Sequence, residues 1–230
     1  MNFKGLDWDT DFFGFTVVRI NDGINLATDT KIFEELSSGD IRLAYYSSPS
    51  PLDMANDLYE IKLVDRKTTY LKNVLPTRPQ DGVLRYDKDY PEENLLRLAV
   101  RSGIYSRFCV DKNIDRAKFE ALYRQWMIQS VNKKMADEVF VYYAAGVVAG
   151  FITVGHKNNR ADIGIIAVDE IFSRRGIGQA LMITAENLAA EKDTTIQVVT
   201  QGDNLAACKF YESCGYSVEK VEFFYHLWKK

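Results

Sequence analysis

Apolar and polar positions alternate most informatively in the second half of the chain. Residues 163–168, Ile-Gly-Ile-Ile-Ala-Val, form an apolar run of strand length, closed by the polar turn Asp169-Glu170. Residues 173–180, Ser-Arg-Arg-Gly-Ile-Gly-Gln-Ala, lead into a pattern in which Ile177, Leu181, Ala185 and Leu188 recur at helical spacing. A strand over 195–200 and a helix over 205–214 follow, with Gly215 placed for a left-handed C-terminal cap and two closing strands over 216–221 and 223–228. Upstream, 139–143 and 147–154 read as a hairpin about Ala144-Ala145-Gly146. Pro91-Glu92-Glu93 opens a helix that Gly103 ends, because proline suits the first turn and carboxylates suit the positive end of the helix dipole. Residues 104–111 read as a loop. Asp115 then caps a long amphipathic helix with Phe119, Leu122, Tyr123, Trp126 and Val131 on its apolar face.

The first third is patterned in shorter pieces. Residues 3–20 read as a loop and a strand, 28–36 as a helix, 41–46 as a strand and 53–59 as a helix. Two strands, 61–64 and 68–74, flank Asp65-Arg66-Lys67. Trp8, Phe12, Phe13 and Phe15 could stack on a planar ligand, although core packing is the more usual role for such a cluster. Between 75 and 90 the composition shifts to Pro76, Pro79, Asp81, Gly82 and Asp87, which reads as a linker or a loose strand. The expected organisation is therefore a small α/β domain over 1–85, without a catalytic motif, and a larger domain over 86–230.

Composition narrows the function. The 230 residues are 47% hydrophobic and 27% charged, an ordinary soluble globular balance. A formal net charge of −3 argues against a dedicated nucleic-acid binder. Cys109, Cys208 and Cys214 make no even, closely spaced disulfide framework, and two histidines without a C-x-x-C pair make a zinc site unexpected. No signal core or membrane-length apolar run is present, so a cytoplasmic protein without a membrane partner is expected.

The glycine turn carries the candidate chemistry. The first N–H groups of a helix lack internal partners and sit at the positive end of its dipole, a ready anion site. Gly176 and Gly178 remove Cβ atoms that would hold a phosphate away. The turn fits neither the dinucleotide fingerprint nor the P-loop. Asn204 and Tyr211, about two helical turns apart, share a face and could touch two points roughly 10 Å apart on one elongated ligand. Taken singly, each could equally cap or pack.

Together these segments resemble a known family. Arg174-Arg175-Gly176-Ile177-Gly178, followed by Asn204, Ala207, Phe210-Tyr211-Glu212 and Gly215-Tyr216, is similar to the GCN5-related N-acetyltransferase (GNAT) family over about residues 91–230. One departure is Ser173, where the family often has Arg or Gln. The resemblance implies an α/β (α+β) GNAT fold: a central mixed, mostly antiparallel sheet flanked by helices, with an additional smaller N-terminal α/β domain. It implies acetyl-CoA as cosubstrate and no metal. Backbone groups of Arg174, Arg175, Gly176, Ile177, Gly178, Gln179 and Ala180 would cradle the pyrophosphate. Ile166, Ala167 and Val168 would pair with the pantetheine arm, Asn204 would hydrogen-bond it, and Ala207 and Phe210 would complete the coenzyme site. Tyr211 would be the catalytic acid for the departing thiolate.

Further points of resemblance are to members that acetylate the 4-amino group of a nucleotide-linked aminodeoxysugar. They are Tyr105-Ser106-Arg107-Phe108, Phe119 with Trp126, Val199-Thr200-Gln201, and Tyr225-His226-Leu227-Trp228. With such an acceptor, Arg107 could provide a bidentate cation for the nucleotide diphosphate, and Phe108 or an N-terminal aromatic could stack on the base; Arg107 as a surface charge and Phe108 as core are equally open, and the N-terminal domain would bind the acceptor. Alternatives are an acetyltransferase for a protein N-terminus, a polyamine or an antibiotic amine, and a non-catalytic acyl-CoA-binding domain. Asp162 and His156 lie near the catalytic strand as candidate bases, with neither singled out. The aromatic C-terminal strands could form part of a homodimer interface.

Overall fold

The computed structural model describes residues 2–157, 159–192 and 195–230. The chain divides into two compact units, Met1–Lys67 with Val221–Lys230, and Thr68–Lys220. The division therefore falls at 67/68 rather than at 85/86, and the last ten residues join the first unit. The reason lies in strand β4 (Tyr59–Asn73), which runs straight through the expected loop at 65–67. Its later part, with Tyr70 and then Val74, belongs to the core of the second unit.

In the first unit, β1 (Phe3–Gly5), β2 (Val17–Ile20), β3 (Leu43–Ser48) and β10 (Ser217–Lys229) lie side by side, with β2–β3 parallel and the other two pairs antiparallel. Helix α2 (Lys31–Ser38) buries Ile32, Phe33 and Leu36 against Val18, Ala44, Tyr46 and Leu227. Residues 7–13, expected as loop, form helix α1 (Asp7–Phe13). Asp7 and Asp9 complement its first turn, Trp8 stacks on Phe12 one turn later at 5.0 Å, and Gly14 (φ 83°) closes it. The helix expected over 53–59 does not form. Asn56 Oδ1 accepts the Leu58 and Tyr59 N–H groups at 2.9 and 3.0 Å, a local turn that competes with helix. The paired strands expected at 61–74 and at 216–228 are single strands, β4 and β10. Lys67, read as part of a turn, instead reaches Glu222 at 3.5 Å and lies over the Phe224 ring.

In the second unit the strand order is β4, β9 (Thr195–Gln201), β8 (Arg160–Val168), β7 (Val147–Lys157), β6 (Glu138–Ala144), β5 (Val83–Arg85). The β5 strand lies inside the stretch expected to be a linker or a loose strand. The β6–β7 turn has φ of 51° at Ala145 and 77° at Gly146, the two-residue form that matches strand twist. One face carries α3 (Glu93–Ser102) and α5 (Arg116–Val131), with Leu95, Leu98 and Met127 packed on Val139, Val141, Val148 and Phe151. Asp115 caps α5 through the Ala117 N–H at 2.8 Å. The other core holds α6 (Ile177–Ala190) and α7 (Leu205–Ser213), with Ile177, Leu181 and Ala185 packed on Ile152, Val154 and Ile163. The architecture is α/β, a mixed sheet flanked by helices. No helix among the described residues is long and apolar enough to cross a membrane.

Candidate active site

The site begins where two parallel strands part. Among the described residues β8 pairs with β9 at Ala161↔Ile196, Asp162↔Gln197 and Ile163↔Val198, while its antiparallel register with β7 continues to Val168↔Gly150. A bulge accompanies the parting, since Val154 faces Ile163 but Ile152 faces Ile166. The displaced Ile165 N–H is taken by Thr153 Oγ1 at 2.8 Å. A Cβ on Gly164 would stand 2.9 Å from that same oxygen, which is why the bulge carries glycine. Beyond it, Ile166, Ala167 and Val168 have β7 on one side and an open cleft of about 860 Å³ on the other. Main-chain donors and acceptors on that edge are available to a slender ligand.

The glycine turn forms the next wall. Arg174 and Gly176 adopt positive φ, 60° and 79°, and α6 starts at Ile177. The Ala180 N–H closes the first helical turn on the Gly176 carbonyl at 2.9 Å. The N–H groups of Ile177, Gly178 and Gln179 precede it and have no helical partner. All three residues line the cleft with Gly176 and Arg174. Two expected members of the cradle lie elsewhere. Ala180 spends its N–H inside the helix and is not a lining residue. Arg175 turns back, donating to the Ile171 carbonyl at 3.3 Å with its guanidinium 5.4 Å from the Phe172 ring centre.

Helix α7 supplies the third wall. Asn204 caps it, accepting from the Ala207 N–H at 3.2 Å, and both residues line the cleft. Phe210 and Tyr211 lie two turns on. A Cβ on Gly178 would come within 3.0 Å of Phe210 Cζ, so the second glycine admits the ring that joins α6 to α7. Tyr211 is 5% exposed and packs against Tyr70, Phe210 and Tyr216. Burial raises its phenol above the ordinary value, and Cys208 and Cys214 add to the shift. The hydroxyl therefore stays protonated across the whole neutral range.

The residues expected to hold the acceptor do not gather here. Phe108 is 5% exposed and packs edge-on to Trp126, in a short helix, α4 (Arg107–Val110), where a loop was expected. Arg107 lies over the Phe108 ring at 4.6 Å, and neither residue lines the cleft. His156 Nδ1 is paired with Asp137 Oδ2 at 2.7 Å, and Asp162 accepts from Gln197 Nε2 at 2.5 Å; both lie outside the cleft. Instead Arg101, Ser102, Tyr105, Tyr123, Trp126 and Ser130 face it from α3, α5 and the segment between them. Trp126 and Tyr105 were legible as points of the resemblance, Trp126 also as part of an apolar helix face, but their place in the cleft was not. Among the described residues no group of three or more His, Cys, Asp or Glu is placed to hold a metal ion.

These features have relatives. The model of the acetyltransferase (GNAT) family matches residues 101–216, half of the chain. The dTDP-fucosamine acetyltransferase of Escherichia coli O6:H1 is 29% identical over 227 residues, 96% of each protein. The spore coat polysaccharide biosynthesis protein SpsD of Bacillus subtilis is 24% identical over 137 residues, 59% of this chain but only 47% of SpsD. A GCN5-related N-acetyltransferase from Kribbella flavida superposes with a TM-score of 0.58 at 14% identity, over 99% of this chain and 86% of that one. A family match across half the chain, on the fold these neighbours share, means that the protein belongs to the GNAT family of acetyl-CoA-dependent N-acetyltransferases.

Proposed function

We propose that the protein transfers the acetyl group of acetyl-CoA to the 4-amino group of a nucleotide-linked aminodeoxysugar. The observation that carries the reaction is the meeting of three elements in one cleft: the open edge of β8, the free N–H groups of Ile177 to Gln179, and the buried Tyr211. Acetyl-CoA supplies an acyl group activated as a thioester. The N-terminal amides of α6 suit its pyrophosphate, and the unpaired edge from Ile166 to Val168 suits its amide-bearing arm. Asn204, at the start of α7, faces the same cleft.

The amine attacks as the neutral base. A C–N bond forms, the C–S bond breaks, the nitrogen loses one proton and the sulfur gains one. Tyr211 is the donor to that sulfur. Even an unperturbed phenol is less acidic than a thiol by about 1.5 units, roughly 2 kcal/mol, and burial widens the gap. Its contribution is therefore a strong hydrogen bond to the departing thiolate, with completed transfer concerted with bond breaking. Among the described lining residues the one carboxylate is Glu170, already paired with Arg101. The amine proton leaves through water.

Support for a sugar acceptor comes from the lining and from the relatives. Tyr105, Tyr123 and Trp126 offer apolar ring faces on which a sugar ring can pack. A polyamine would call for an acidic groove, which these residues do not make. The full-length similarity to the dTDP-fucosamine acetyltransferase adds weight. The test is acetyl-CoA-dependent thiol release with dTDP-4-amino-4,6-dideoxygalactose, spermidine and an N-terminal peptide in parallel. Release with the nucleotide sugar alone supports the reading; preference for spermidine or the peptide overturns it. Tight coenzyme binding without release would favour a binding-only domain.

A further inference from the structure

The coenzyme loop between β8 and α6 is fastened at its root by a polar stripe on α3. Asn94, Arg97 and Arg101 fall three and four residues apart, on one face of a helix whose Leu95, Leu96, Leu98 and Ala99 are buried in the core. Asn94 Nδ2 donates to the Val148 carbonyl of β7. Its Oδ1 accepts from Arg97 Nε at 3.1 Å and Nη2 at 2.7 Å. Arg97 Nη2 also donates to Asp169 Oδ2. The Asp169 side chain is 6% exposed, and Oδ1 accepts the Ile171 N–H at 3.1 Å while the Asp169 N–H bonds the Ala149 carbonyl at 2.8 Å. Arg101, one turn after Arg97, pairs with Glu170 on the loop itself.

We infer that Asp169 and Arg97 are positioning residues that pre-set the coenzyme loop, so that the amides of Ile177, Gly178 and Gln179 aim at the pyrophosphate before it arrives. The inference rests on the reading of this cleft as the acetyl-CoA site. Each link in the chain runs from the rigid sheet, through α3, to the first residues of the loop. Asp169 directly follows Val168, the last paired residue of β8, and is the first of the loop, so its carboxylate fixes the angle at which the chain leaves the sheet. Neither side chain belongs to the cleft lining, so neither touches the ligand. An aimed anion site binds more tightly than one that must be ordered on binding. Loss of the clasp should therefore appear in coenzyme affinity and leave the chemical step intact.

The test measures acetyl-CoA dissociation constants by calorimetry on the full chain, beside steady-state kinetics. Asp169→Asn and Arg97→Ala are expected to raise Kd and KM for acetyl-CoA roughly ten- to hundredfold, the worth of one hydrogen bond to a charged group, with kcat at saturation kept. Arg97→Lys is expected to recover part of the loss. Hydrogen exchange should quicken across 170–176 in Asp169→Asn while α6 stays protected. Unchanged Kd in folded Asp169→Asn and Arg97→Ala overturns the inference, as does an equal fall in kcat. Failure of the wild-type protein to bind acetyl-CoA, or undiminished binding by Gly178→Val, would instead overturn the cleft assignment.

Discussion

Phe210 lies so close to Gly178 that a single methyl at position 178 would sit 3.0 Å from Phe210 Cζ. The glycine is there for a neighbour's ring as much as for a phosphate. Gly178→Ala should push Phe210 by a few tenths of an ångström and raise KM for acetyl-CoA about tenfold, with a smaller effect on kcat. Replacing Phe210 by Leu should relieve that clash. The double variant Gly178→Ala/Phe210→Leu is then expected to lose less affinity than the two single losses combined, as a double-mutant cycle on KM would read.

Gly176 answers to a different constraint. A Cβ there meets nothing within 4 Å, but its φ of 79° is one that L side chains adopt at a cost. Gly176→Ala should destabilise by about 1–2 kcal/mol, and Gly176→Asn by less, because asparagine tolerates the left-handed region. Thermal melts of the two variants decide the ranking.

Tyr211→Phe keeps the ring packing against Tyr70 and Tyr216 and removes only the hydroxyl. We expect kcat to fall by about 10²–10⁴ with acetyl-CoA affinity little changed. A near-normal kcat would remove Tyr211 from the reaction.

Asp169 links the loop to acid stability. Its carboxyl is held below the ordinary 3.8, first by the hydrogen bond from Arg97, then by the Ile171 N–H and the Arg97 and Arg101 charges, all against the opposing effect of burial. The unfolded chain thus takes up the proton first as pH falls below 3.8. The stabilisation is complete above that value and disappears as pH drops through the lower native one. The Tm difference between wild type and Asp169→Asn should be constant above about pH 5 and close in stronger acid.

A second ion pair braces α7 from its far end. Lys72 Nζ reaches Glu186 Oε2 at 2.7 Å and the Cys214 carbonyl at 2.8 Å, with the Glu186 side chain 7% exposed. Lys72→Met would strand that carboxylate and should cost about 3 kcal/mol in chemical denaturation. Adding Glu186→Leu should recover most of the loss, because an apolar pair of similar size needs no desolvated charge.

The parts of this site that were legible in the sequence are those built from local rules. The apolar run at 163–168, the glycines before α6, the capping Asn204 and the stop at Gly215 (φ 84°) each announce themselves within a few residues. Tyr211 shares a helix face with Asn204, but its part in the reaction was implied by the family resemblance and not by the spacing. What escaped depends on partners distant in the chain. Lys67 reads as a turn residue until Glu222 and Phe224 arrive beside it. Phe108 reads equally as a stacking platform or as core until Trp126 covers it. Asp169 and Arg97 are 72 residues apart, and neither has a spacing that reveals the other. The aromatic run from Trp8 to Phe15 misled for the opposite reason, since its helical spacing was present but its density read as irregular.

The early parting of β8 and β9 has a consequence for how the empty protein behaves. Among the described residues three pairs hold the two strands together, and beyond Ile163 and Val198 their facing edges are not paired with each other. At the rim of a sheet such an edge invites another protein to add a strand. Here it is recessed between two paired strands, in a slot walled by α6 and α7, so a folded sheet cannot dock while a single extended chain can. The fold thus carries a strand edge inside its own framework, away from the rim where sheets pair with one another.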